Sequence, residues 1–131
     1  GVISLFVKAA REGRALTLYG AGGQTRDFTY VANTVDGVLR AATAPGISGQ
    51  VINVATNGRV SLNELWAQVR GLLGATADPI YAEPRAGDIR DSQADISKAA
   101  ALLGYRPVVS FEEGLRRTVA ELAEAVLDRY G

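Results

Sequence analysis

One stretch constrains this chain more than any other: Leu16-Thr-Leu-Tyr-Gly-Ala-Gly-Gly-Gln-Thr-Arg-Asp-Phe-Thr-Tyr-Val31. Leu16 to Tyr19 is a short apolar run and reads as a strand. Gly20, Gly22 and Gly23 supply the positive-φ or close-approach positions that a sharp reversal needs. Gln24 to Val31 alternates polar and apolar residues and is rich in β-branched and aromatic types. The stretch therefore predicts strand, tight turn, strand. Backbone groups on one arm and Arg26 on the other would cradle a flat ring joined to a phosphate. A surface hairpin with a solvated arginine is the competing reading.

At 131 residues with 47% apolar content, the chain is expected to form one domain with a real core. Its 14 basic and 14 acidic residues cancel, which argues against electrostatic binding of nucleic acid. No apolar run approaches the ~20 residues that cross a bilayer, and no signal peptide is visible. The absence of cysteine excludes a disulfide framework and thiolate chemistry, and fits a cytoplasmic protein. The absence of histidine removes the commonest general base and metal ligand, and with it the Ser–His–Asp and Cys–His arrangements. No dense Asp/Glu cluster at calcium spacing appears. The absence of methionine predicts a chain processed, trimmed or cut from something longer.

Alternation of helical and strand signals places the chain in the α/β class, with about five helices and a few short strands. Val2–Glu12 puts Ile3, Phe6, Val7 and Ala10 on one helical face, with Gly13 as the stop. Asn33 is expected to cap a helix over 34–43 whose Val35, Val38, Leu39 and Ala42 face inward. Val51–Val54 reads as a strand buried on both faces. Ser61-Leu-Asn-Glu64 is a capping box opening a helix with Leu62, Leu65, Trp66, Val69 and Leu72 inward, ending near Gly74. Pro79–Ala82 reads as a strand, and Ile96–Leu103 as a helix stopped by Gly104. Ser110-Phe-Glu-Glu113 is a second capping box, opening a last helix with Leu115, Val119, Leu122 and Val126 inward.

The second chemically informative stretch is the loop Arg85-Ala-Gly-Asp88, followed by Arg90 and Asp91. An arginine fork can grip a phosphate through two hydrogen bonds. A carboxylate such as Asp88 can accept from two sugar hydroxyls. Arg26 and Arg85 on opposite walls would then clamp a diphosphate. An exposed loop whose charges pair with each other, worth about 0–1 kcal/mol per pair, is the alternative. Gly20-Ala-Gly-Gly23 is neither a Walker A loop nor a dinucleotide fingerprint: no Gly-Lys-Ser/Thr follows, the glycine spacing is wrong, and a strand rather than a helix comes next.

Taken together, Leu18–Val31, Asn53-Val54, Ser61–Leu65, Arg85–Ser92, Ala94–Ala99, Leu103–Pro107 and Ser110–Leu115 resemble, in order and spacing, the C-terminal part of NAD-dependent nucleotide-sugar epimerases and dehydratases. These form part of the extended short-chain dehydrogenase/reductase family, and the likeness is greatest to enzymes of the UDP-glucose 4-epimerase type. The resemblance implies a small α/β substrate-binding domain over 1–131, lacking the full Rossmann domain but including a helix and strand (about 33–55) that in the family belong to it. It implies that Thr17, Leu18 and Tyr19 hold the uracil, that Arg26 and Arg85 bind the pyrophosphate, and that Asp88 binds the ribose hydroxyls.

The family's catalytic Tyr-x-x-x-Lys pair and its NAD fingerprint are not in this sequence, and Ala32, Asn33 and Ala55 replace residues usual in the family. The chain is therefore expected to carry no catalytic, cofactor-binding or metal-binding residue, and to bind no NAD by itself. Its expected partner is a nucleotide-sugar, most readily a UDP-sugar, with neither nucleic acid nor membrane. Val51–Val54, deprived of a parent sheet, is expected to pair in a rearranged way or to form a homodimer. A stand-alone nucleotide-sugar binding or interaction module without catalysis is the alternative function.

Overall fold

The computed structural model describes the backbone of residues 1–130 and the side chains up to Glu124. Nine elements follow in order: α1 (Val2–Arg11), β1 (Thr17–Tyr19), β2 (Thr25–Arg26), α2 (Val31–Thr43), β3 (Val60–Ser61), α3 (Leu62–Leu73), β4 (Ile80–Ala82), α4 (Ser97–Leu103) and α5 (Phe111–Tyr130). This is the α/β class, with five helices and short strands.

Amphipathic spacing builds the main core. α1 buries Phe6, Val7 and Ala10 as its periodicity predicts, and ends in a Schellman motif: Arg14 N–H donates to Ala9 O and Gly13 N–H to Ala10 O. α3 opens with the predicted capping box, Ser61 Oγ accepting from Glu64 N–H and the Glu64 carboxylate accepting from Ser61 N–H. That N–H, with the Ser61 hydroxyl, holds the Glu64 carboxyl below its ordinary range. Leu65, Trp66 and Val69 of α3 meet α1, Leu16 just before β1, Leu18 within it, and Leu115 and Val119 of α5. Phe6 meets Trp66 edge to face at 5.8 Å. Leu72, expected inward, is 45% exposed at the far end of α3.

The strands do not form the predicted hairpin. β1 runs parallel to β4, Thr17 opposite Ile80 and Tyr19 opposite Ala82, while β2 runs antiparallel to β3. The cause lies in the glycine loop. Gly22 O and Gln24 O accept from Asn63 N–H (3.0 Å) and Leu62 N–H (3.1 Å), so the loop caps the N-terminus of α3 instead of folding β2 back onto β1. Only glycine fits at position 22: φ is +71°, and a Cβ there would lie 2.3 Å from Asn63 Oδ1. Beyond Arg26 the chain leaves the ladder, and Phe28 stacks on Phe111 with centroids 5.7 Å apart.

A smaller cluster gathers Ala99, Leu103 and Tyr105 against α2 and residues 52–54. Tyr105 is fully buried and its hydroxyl donates to Ala55 O at 2.7 Å. Burial, reinforced by the carboxylates of Asp36 and Asp27, raises the pKa of that phenol.

Here three expectations fail. First, α2 begins at Val31 with Tyr30 as its cap residue. Asn33 is fully buried inside it: its Nδ2 donates to Val109 O, and its Oδ1 accepts from Val108 N–H and Val109 N–H, all within 2.8–2.9 Å. Second, the face bearing Val35, Val38 and Leu39 is 50–65% exposed. α2 packs instead by its small residues, Gly37 against Val54 and Ala41 against the smaller cluster. Third, Val51–Val54 belongs to no ladder among the described residues. Val51 is 83% exposed, while Ile52 and Val54 lean on the smaller cluster.

The second capping box is half formed. Ser110 Oγ accepts from Glu113 N–H, but the Glu113 carboxylate turns to Arg116 and Arg117 instead of reaching back. Val126, expected inward on α5, lies outside the described side chains.

Candidate functional site

Beside β1 lies a cleft of about 680 Å³, and Thr17, Leu18, Tyr19, Arg26, Arg85 and Asp88 all line it. The fold therefore brings together two loops that are about sixty residues apart in sequence. α1 forms another wall with Val2, Ser4 and Leu5, and Leu62 of α3 adds apolar surface.

β1 supplies a strand edge. Ile80 N–H donates to Leu16 O (2.7 Å) and Gly20 N–H to Ala82 O (2.8 Å). In a parallel ladder this alternation turns the backbone of Leu16, Leu18 and Gly20 towards β4 and that of Thr17 and Tyr19 away from it. The Thr17 backbone groups and the Tyr19 N–H thus form the free edge, able to pair with a flat heterocycle, while the Tyr19 carbonyl is met by Gln24. Leu18 differs: its side chain is 2% exposed in the core, so it anchors the strand and offers no free polar group.

β2 carries the opposing chemistry. Gln24 and Arg26, two residues apart in extended chain, share a face. Arg26 Nη1 donates to Thr25 O at 2.8 Å and Nη2 to Asp88 Oδ1 at 3.2 Å. Gln24 Nε2 donates to Tyr19 O at 2.9 Å and to Asp88 Oδ2 at 3.3 Å. The 85–88 loop is a turn closed by Asp88 N–H donating to Arg85 O (3.2 Å), with Gly87 at φ +81° in the position that demands glycine. It aims the Asp88 carboxylate at β2. Arg85 lies over the Tyr19 ring, 3.7 Å from its centroid, as a cation–π contact.

Arg90 and Asp91 serve β2 and not the cleft lining. Thr25 N–H donates to Arg90 O, and Asp91 accepts from the Thr25 hydroxyl (2.7 Å) and pairs with Arg59 (3.0 Å). The Thr25 hydroxyl, then Arg59, holds the Asp91 carboxyl below its ordinary range. Asp27 fastens the neighbouring segment, accepting from Thr56 N–H (3.1 Å), the Thr56 hydroxyl and Ala94 N–H (3.3 Å).

The structure brings the charged residues of both loops to one cleft. The charges do pair, Arg26 with Asp88, and the pair also faces the cleft. Gln24, and with it the apolar lining from α1 and Leu62, had no site role in the sequence reading. The alternation that places Gln24 beside Arg26 was the available signal for the former. Chemically, two guanidinium groups against one carboxylate suit an anion of more than one charge. The carboxylate keeps acceptor sites for hydroxyls. Fold and cleft together define an α/β domain whose cleft gathers two guanidinium groups and one carboxylate.

Known proteins share this fold and much of this sequence. Residues 1–55 match the NAD dependent epimerase/dehydratase family. The chain is 38% identical over 119 residues to the UDP-glucose 4-epimerase of Mycolicibacterium smegmatis, covering 91% of this chain and 38% of that one. Its fold superposes with a TM-score of 0.89 and 32% identity on the crystal structure of UDP-glucose 4-epimerase with UDP-glucose from Thermotoga maritima, covering 96% of this chain and 40% of that one. A UDP-glucuronic acid 4-epimerase from Bacillus cereus, in complex with UDP-glucuronic acid and NAD, superposes with a TM-score of 0.88 and 30% identity over 95% of this chain and 40% of that one. The chain belongs to the NAD-dependent epimerase/dehydratase family. It spans about two fifths of the length of these relatives.

Proposed function

We propose that this chain is the C-terminal, nucleotide-sugar-binding portion of an NAD-dependent epimerase acting on a UDP-sugar. The observation that carries the reading is the convergence of Arg26, Arg85, Asp88 and the free edge of β1 on one cleft. In this reading Thr17 and Tyr19 meet the uracil through their backbone, Asp88 accepts from the ribose hydroxyls, and Arg26 and Arg85 neutralise the diphosphate. Leu18 contributes by holding the strand in place. These roles bind and orient substrate; none moves a proton or a hydride.

NAD belongs, in this reading, to the remainder of such an enzyme. The glycine loop turns carbonyls onto α3, where a dinucleotide phosphate would need N–H donors. The relatives' remaining length offers a cover for the exposed apolar face of α2 and for residues 51–54, the region (about 33–55) assigned to the Rossmann domain in this reading. Without that cover, the 51–54 edge pairs with a second copy of the chain. Among the described residues no helix is long and apolar enough to cross a membrane, and the lack of cysteine suits the cytoplasmic setting that belongs to this reading.

Calorimetric titration with UDP-glucose and with ADP tests the proposal. Saturable binding of the uridine nucleotide, weakened in Arg85→Ala and absent for ADP, is expected. Absence of binding at millimolar UDP-glucose, or equal affinity for ADP, would overturn it.

A further inference from the structure

The Gln24 amide does two jobs at once. Its Nε2 spends one hydrogen on Tyr19 O (2.9 Å) and the other on Asp88 Oδ2 (3.3 Å). Both partners are acceptors, so the amide is oriented without ambiguity. It ties the free edge of β1 to the carboxylate on the opposite loop, across the lining of the cleft. Asp88 has one other side-chain holder among the described residues, Arg26 on Oδ1. An arginine is drawn away by any phosphate that enters, since a charge-assisted bond to a dianion competes with a carboxylate. A neutral amide has no such alternative.

We propose that Gln24 is the positioning residue for ribose recognition: it keeps Asp88 aimed at the vicinal hydroxyls once Arg26 turns to the diphosphate. The inference rests on the nucleotide reading above. A carboxylate has about four acceptor sites, of which Gln24 and Arg26 use two, leaving enough for both hydroxyls of a cis-diol. Gln24 acts through Asp88 and is not itself a contact to the reacting sugar. Its removal therefore costs more for a nucleotide with the diol than for one without it.

The test uses the 131-residue chain and two probes, UDP and 2′,3′-dideoxy-UDP, titrated calorimetrically against the unsubstituted chain and Gln24→Met, which keeps length and removes both donors. The preference for UDP over the dideoxy nucleotide is expected to fall by about fivefold to tenfold in Gln24→Met, the size of one ordinary hydrogen bond. Gln24→Glu, which places acceptors where Tyr19 and Asp88 need donors, is the second variant should the first fail to fold, and is expected to lose the preference likewise. An unchanged UDP-to-dideoxy ratio, whether both affinities fall together or neither falls, would overturn the inference and leave the nucleotide site standing. An unsubstituted chain that binds both nucleotides equally would also overturn it. An unsubstituted chain that binds neither would instead sink the nucleotide reading itself.

Discussion

Replacing Arg26 by alanine separates what the residue does for the fold from what it does for the site. In the free protein its ion pair with Asp88 spans 3.2 Å, and the two side chains are 28% and 37% exposed. Solvent screens such a pair, so it contributes at most about 1 kcal/mol. Its bond to Thr25 O adds a similar sum. The variant should therefore fold and melt within a few degrees of the parent. A diphosphate changes the balance: one charge-assisted guanidinium–phosphate contact is worth about 1.5–3 kcal/mol, which corresponds to a loss of UDP affinity of about 10- to 150-fold. Calorimetric titration with UDP and with uridine, alongside a thermal melt, reads both terms. The account expects a large loss for UDP and a small one for uridine. Unchanged UDP affinity in a folded variant, or equal losses for both ligands, would refute the clamp.

Asn33→Ala should destabilise the chain by about 2–4 kcal/mol in urea denaturation, because it strands the part-buried N–H groups of Val108 and Val109 and the Val109 carbonyl. A change within ~0.5 kcal/mol would mean that water replaces the side chain. The Glu113 carboxyl is pushed down from 4.5 to about 2 by its hydrogen bonds to Arg116, then Arg117. A depressed carboxylate contributes stability above the unfolded value and loses it as pH falls through the folded one, so the contribution fades between pH 4.5 and about 2. Glu113→Gln should flatten the stability-versus-pH slope in that window. The group is exposed, so added salt should shrink the difference. Light scattering should show a dimer of the parent chain that Val51→Lys disperses; a monomeric parent would rule out pairing through this edge.

The two walls of the cleft were legible because their chemistry is local. Arg26, Arg85 and Asp88 stand out by residue type, and the structure sets all three on one cleft; the turn at Gly87 that aims Asp88 came only with the structure. Helices were legible wherever capping and periodicity agreed, as from Ser61 to Gly74. The strand partners were not. Which strand β1 pairs with depends on where the carbonyls of Gly22 and Gln24 go, and they go to a helix N-terminus nearly forty residues later in the chain. Nor does amphipathic spacing reveal whether a face is covered: Val35, Val38 and Leu39 form a good stripe, yet nothing among the described residues covers them. Asn33 looked like a cap because asparagine is a good one; tertiary contact with 108–109 claimed its side chain instead.

A crystal structure of the chain with UDP tests the central claim most directly. The account predicts the diphosphate between Arg26 and Arg85, both ribose hydroxyls on Asp88, and the uracil along the Thr17–Tyr19 edge. UDP bound elsewhere, or a diphosphate touching neither arginine, would contradict it.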